Sequence, residues 1–121
     1  MSGDDRMCDD AGDDTLNGAS GSDEMGGSPG DDTMVAGDGV DNMLGGDDND
    51  EMHGNVGGDV MHGGAGDDIA SGDDGNDIMR GEADNDVLFG TDGVVYNDEL
   101  DGGTGTDHCE SDPDPEVNCE S

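Results

Sequence analysis

The chain has 121 residues, and 35 acidic side chains against two basic ones give a formal net charge of −33 at pH 7. That balance excludes nucleic acid and anionic membrane surfaces as partners, because both need basic patches, and the absence of a transmembrane segment in the sequence argues against membrane insertion. With one Phe, one Tyr and no Trp, a conventional packed core is not available. Either self-repulsion keeps the chain disordered or something positive holds it together.

From Gly3 onward the chain repeats. Asp5, Asp14, Asp23, Asp32, Asp41, Asp50, Asp59, Asp68, Asp77, Asp86, Asp98 and Asp107 recur every nine residues, with one longer gap of twelve before Asp98. Two residues after each Asp stands an apolar or small side chain: Met7, Leu16, Met25, Met34, Met43, Met52, Met61, Ala70, Met79, Leu88, Leu100 and Cys109. Two residues before each Asp there is usually a Gly; Asp48, Asp84 and the interrupted unit before Asp98 depart from this. The unit reads G-G-x-G-x-D-x-U-x, with U apolar. A fixed short period means a solenoid rather than a globular core. A disordered acidic tail would have no reason to hold Asp and U in register.

The unit resembles the RTX, or haemolysin-type, calcium-binding nonapeptide repeat. Good matches are Gly63-Gly64-Ala65-Gly66-Asp67-Asp68-Ile69-Ala70-Ser71, Gly27-Ser28-Pro29-Gly30-Asp31-Asp32-Thr33-Met34-Val35 and Gly102-Gly103-Thr104-Gly105-Thr106-Asp107-His108-Cys109-Glu110. The resemblance runs from about Gly3 to Glu110. It implies an all-β fold, a right-handed parallel β-roll or β-solenoid of about six two-strand turns, with calcium between successive loops on the same edge.

The residues support that expectation physically. Glycines allow tight turns at positive φ, and x-U-x makes a very short strand with U inward. Two units form one flattened turn, so stacked turns align every second unit. Asp5, Asp23, Asp41, Asp59, Asp77 and Asp98 form one column; Asp14, Asp32, Asp50, Asp68, Asp86 and Asp107 form the other. Carboxylates on rungs about 4.8 Å apart repel by about 3.5 kcal/mol at an effective dielectric near 20. A hard divalent cation relieves this. Calcium takes six to eight oxygens and accepts loop carbonyls, whereas magnesium keeps its waters and zinc wants His or Cys. Five gaps per edge give about ten calcium ions, which would offset about twenty negative charges. The Met residues at U positions read as core, soft enough to fill irregular gaps.

Several positions break the pattern. Ala70 leaves a small hole in the core. Val94, Val95, Tyr96 and Asn97 bulge from one loop, as a tolerated insertion or a contact surface. His53 and His62 face outward on opposite sides, and no catalytic arrangement or phosphate loop is recognisable, so the chain reads as non-catalytic.

Cys109 occupies the last U position, and Cys119 follows Asp112-Pro113-Asp114-Pro115. The pair reads as a disulfide-fastened cap, or as two independent thiols; a disulfide cap also resembles the ends of some secreted members of the family. Cys8 is left over, outward on the first rung, a candidate for intermolecular contact. The domain plan is a calcium-binding β-roll over 1–110 and a capping tail over 111–121. Met1-Ser2-Gly3 leads straight into a repeat, with no apolar leader. A secreted, extracellular location therefore rests on calcium, the cysteines and the resemblance. The leading functional expectation is a calcium-folded, secreted structural module. Its alternative is a subunit of a calcium-stabilised filament, joined head to tail through the first rung and Cys8. Ice binding is a minor alternative, since the outward rows (Thr15, Thr33, Glu51, Ile69, Val87, His108 and Arg6, Glu24, Asn42, Val60, Ile78, Glu99) are irregular.

Overall fold

Each apolar U residue begins a strand that buries it, and the strands follow one another at the period of the repeat. The structure, a computed structural model, describes residues 2–93, 97–111, 116–117 and 119. Its strands are β1 (Arg6–Cys8), β2 (Thr15–Ser20), β3 (Glu24–Pro29), β4 (Thr33–Asp38), β5 (Asn42–Asp47), β6 (Glu51–Val56) and β7 (Val60–Ala65). They continue as β8 (Ile69–Asp74), β9 (Ile78–Ala83), β10 (Val87–Gly90), β11 (Glu99–Thr104), β12 (His108–Ser111) and β13 (Glu116–Val117).

Odd strands form a seven-stranded parallel sheet, β1-β3-β5-β7-β9-β11-β13; even strands form a six-stranded one, β2-β4-β6-β8-β10-β12. Because every second unit pairs, like residues stack. Met7, Met25, Met43, Met61, Met79 and Leu100 make one ladder. Leu16, Met34, Met52, Ala70, Leu88 and Cys109 make the other. The two ladders meet between the sheets as the core, joined by Ala36, with Met7 and Cys109 only partly buried. This is the expected parallel β-solenoid of about six turns.

The strands are longer than the expected x-U-x tripeptide. Most run six residues, and their burial alternates so that the residue two beyond U is also inward, as at Gly18, Gly27 and Gly45. That residue is the first glycine of the next unit, so each unit buries two positions.

The insertion falls between β10 and β11. Val94, Val95 and Tyr96 lie outside the described residues, so the contact-surface expectation there finds no structural account. Of the tail, Glu116–Val117 pairs in parallel with β11, and a disulfide joins Cys119 to Cys109 with Cα atoms 5.8 Å apart. The rest of 112–121 also lies outside the described residues. Cys8 is a free, exposed cysteine on β1. Among the described residues no helix is long and apolar enough to cross a membrane.

Candidate metal centres along the two edges

The loops fall on two edges. Edge A carries Asp14, Asp32, Asp50, Asp68, Asp86 and Asp107, each just before a strand of the six-stranded sheet. Edge B carries Asp5, Asp23, Asp41, Asp59, Asp77 and Asp98, each just before a strand of the seven-stranded sheet. All twelve expected residues therefore stand in the two expected columns. Ten of them, from Asp23 to Asp107, are buried at 0–3 % exposure. Asp5 and Asp14, on the outermost turn, are half-buried.

One oxygen of each carboxylate from Asp23 to Asp107 is already used. The N–H of Asp5 donates to Asp23 Oδ1 at 2.7 Å, that of Asp23 to Asp41 at 2.6 Å, and those of Asp41 and Asp59 to Asp59 and Asp77, each at 2.8 Å. Edge A repeats this from Asp14 to Asp32 (2.8 Å), Asp32 to Asp50 (2.9 Å), Asp50 to Asp68 (2.8 Å) and Asp68 to Asp86 (2.9 Å). The bonds continue into Asp98 and Asp107, at 2.8 and 3.0 Å, across the insertion. An N–H at the mouth of a strand must be satisfied once buried, and the carboxylate of the next rung does it. Sequence reasoning treated the columns only as a source of repulsion and missed this bond.

In most of the twelve the Oδ2 oxygen has no such partner. Oδ2 of Asp5, Asp23, Asp32, Asp41, Asp50, Asp59, Asp68, Asp77 and Asp86 is buried without a hydrogen bond. A buried carboxylate oxygen in that condition is costly unless a cation or donor meets it. Its surroundings show where such a group would lie. The first glycine of the unit stands five residues before its Asp, and a side chain there would collide with Oδ2: Gly18 with Asp23, Gly27 with Asp32, Gly45 with Asp50, Gly54 with Asp59 and Gly63 with Asp68. Backbone carbonyls of the next rung crowd the same spot. Ala36 O is 2.6 Å from the point a Cβ would occupy at Gly18, Gly63 O is 2.6 Å from that at Gly45, and Gly72 O is 2.6 Å from that at Gly54. Each glycine thus leaves a cradle on which a carboxylate oxygen and a carbonyl oxygen converge.

Burial pushes these carboxyls up. It raises Asp50, Asp59 and Asp86 to about 6 and Asp68 and Asp77 to about 7. The N–H of the preceding rung pulls each of these back, and neighbouring carboxylates push it up again. Asp41 shifts upward for the same reasons; Asp14 is raised by burial and by its acidic neighbours, Asp9 foremost. The columns are therefore strained at neutral pH in a way that a bound cation would relieve.

The donor set is all oxygen. The carboxylate and carbonyl oxygens that converge on the cradles suit a hard cation; among the described residues no three His, Cys, Asp or Glu side chains gather as a metal cluster. The histidines instead meet glutamates at the surface: His53 with Glu51, His62 with Glu82 and His108 with Glu110. Edge A has a second, exposed ladder that the repeat did not announce. The N–H groups of Asp31, Asn49, Asp67, Asn85 and Thr106 donate in turn to the side chains of Asp13, Asp31, Asn49, Asp67 and Asn85, at 2.8–3.2 Å. The signal was present one residue before each Asp but irregular.

The family model of the RTX calcium-binding nonapeptide repeat (4 copies) matches residues 1–34, 26–61 and 62–94. No curated protein matches the chain significantly.

Proposed function

The chain belongs to the RTX calcium-binding nonapeptide-repeat family, and from that premise we propose that Asp5, Asp14, Asp23, Asp32, Asp41, Asp50, Asp59, Asp68, Asp77, Asp86, Asp98 and Asp107 hold two rows of calcium ions. Five gaps per edge correspond to about ten ions. The single observation that carries this reading is the run of buried Oδ2 atoms without hydrogen-bond partners, those of Asp23, Asp32, Asp50, Asp59, Asp68, Asp77 and Asp86 each beside a glycine cradle. Calcium there supplies positive charge and accepts further oxygens. The chain's own part is to hold one carboxylate oxygen in the N–H ladder and to aim the other.

The module is structural and non-catalytic in this reading. The core is a thin file of methionines and small residues, so calcium supplies what packing does not. The Cys109–Cys119 disulfide suits a secreted setting, where calcium is abundant and thiols oxidise. The β13 pairing and that disulfide support the tail 111–121 as a cap on a roll spanning 1–110. The acidity of the chain is the reason that nucleic acid and membranes are not its partners.

A second reading, a calcium-stabilised filament, is favoured by the exposed thiol of Cys8 on β1, which could join copies. Electron microscopy of the calcium-loaded chain decides between them. Single small particles unaffected by Cys8→Ser support the monomer, and long fibres that dissolve in chelator support the filament. For calcium binding itself the test is native mass spectrometry. About ten bound ions are expected; a count near two would mean that most of both columns take no part.

A further inference from the structure

Among the interior turns from Asp23 to Asp86, one cradle differs from the rest. At Gly18, Gly27, Gly45, Gly54, Gly63, Gly72 and Gly81 the backbone is not in the left-handed region. Glycine is needed there for room, since Oδ2 of the Asp five residues on occupies the place of a side chain. Before Asp41 the equivalent residue is Ala36, whose methyl is fully buried.

Two observations isolate what that methyl does. The backbone of Ala36 behaves as its neighbours' does, its carbonyl oxygen lying 2.6 Å from the Cβ point of Gly18. Asp41 also keeps both ladder bonds, accepting from Asp23 at 2.6 Å and donating to Asp59 at 2.8 Å. The ladder is therefore undisturbed, and by the geometry of the neighbouring cradles the Ala36 methyl takes the side on which Oδ2 of the Asp five residues on is found, in Asp41 an oxygen that lacks a hydrogen-bond partner.

We propose that Ala36 makes the Asp41 position the weakest cation site among these interior turns and so interrupts the row on edge B. On edge A the interior row runs unbroken past Gly27, Gly45, Gly63 and Gly81. This rests on the calcium reading above. Calcium tolerates variable coordination, so an Oδ2 held off by a methyl lowers affinity at that place without abolishing binding elsewhere. The methyl acts through a carboxylate rather than on the ion, which makes Ala36 a positioning residue.

The test is calorimetric titration of the full chain with calcium chloride, paired with native mass spectrometry. The wild-type chain should show a weak class that Ala36→Gly removes, tightening it by roughly tenfold, the lower end of the effect of residues that orient a ligating group. Gly45→Ala should create a matching weak class on edge A. If Ala36 merely filled the core, Ala36→Gly would delete a buried methyl, loosen the backbone and weaken binding; an unchanged or weakened weak class therefore overturns the proposal. Should Gly45→Ala not fold, the direction of the Ala36→Gly shift still decides. A wild-type chain that binds no calcium refutes the reading of the columns instead. Uniform binding that Ala36→Gly leaves unaltered refutes this inference alone.

Discussion

On edge A, Asp48 and Asp84 occupy a turn position that edge B fills with Gly21, Gly39, Gly57 and Gly75. Both aspartates sit in the left-handed region, at φ 79° and 80°. Where the position is glycine both edges close backbone on backbone, edge B more tightly over its interior: a side chain at Gly39, Gly57 or Gly75 would lie 1.4–1.7 Å from the carbonyl oxygen of Gly21, Gly39 or Gly57, against 2.2–2.4 Å at Gly30 and Gly66 of edge A, although Gly105 at the end of edge A is as tight at 1.6 Å. The exposed ladder explains the contrast. Edge A turns are tied from outside by side chains from Asp13 to Asn85, whereas edge B has Ser22 bonded to Asp4 at 3.0 Å, followed by Val40 and Gly58, which offer no acceptor. One nonapeptide thus builds two kinds of edge. The buried carboxylate ladder is common to both, and the outer residues decide how tightly each turn must close.

The largest expected effect separates the edges directly. Gly57→Asp on edge B should cost on the order of 3 kcal/mol or more, combining backbone overlap with a left-handed or more extended φ. Gly66→Asp on edge A, where a side chain would lie 2.2 Å from Asp48 O until the turn relaxes toward the φ of Asp48 and Asp84, should cost less, about 2 kcal/mol. Chemical denaturation in calcium buffer measures both, and equal losses would erase the distinction.

A second pair sharpens what the edges share. Asp50→Asn keeps an Oδ1 acceptor for the Asp32 N–H but removes the charge. In calcium it should lose about 2 kcal/mol, equivalent to a 10- to 100-fold drop in cation affinity. In chelator the sign should reverse, seen by circular dichroism as β structure that appears at a higher pH than in the parent chain, because a buried charge has gone and no hydrogen bond has been lost. Asp41→Asn should lose less in calcium than Asp50→Asn, its site being crowded already.

Acidity should act on both edges alike. Asp68 on edge A and Asp77 on edge B are each raised to about 7 from an ordinary 3.8. A carboxyl raised by folding stabilises the folded state below its unfolded pKa and loses that contribution as pH rises through the folded value. The chelated chain should therefore gain β structure between pH 7 and pH 4. The calcium-loaded chain should do the opposite, since protons displace the ion. Circular dichroism across that range checks both signs. The smallest effect is Asn49→Ala, which removes an exposed acceptor of the Asp67 N–H and should cost about 0.5 kcal/mol.

Much of this was legible in the residues. The spacing of Asp and U was enough to set the register, the two columns and the methionine core, because like residues in every second unit had to stack. Asp48 and Asp84 stood out as turn outliers, and Cys109 and Cys119 as a fastened end. The nonapeptide could not show what crosses between units. That Oδ1 caps the N–H of the preceding rung is a contact 18 residues away that no single repeat contains; that Oδ2 reaches back five residues lies within one unit, but the spacing alone does not show that the two touch. The three glycines looked alike in sequence, yet one is required for space and the others for φ. Ala36 consequently drew no notice. Nor did Ala19 and Glu82, which take φ 79° and 81° without the side-chain chemistry that eases such a turn.

The central claim is that calcium between buried aspartates makes the fold possible, and far-ultraviolet circular dichroism with and without chelator at neutral pH tests it most directly. A disordered spectrum that converts to β structure on calcium addition, and returns on chelation, is the predicted result. A β spectrum unchanged by chelator would contradict the account.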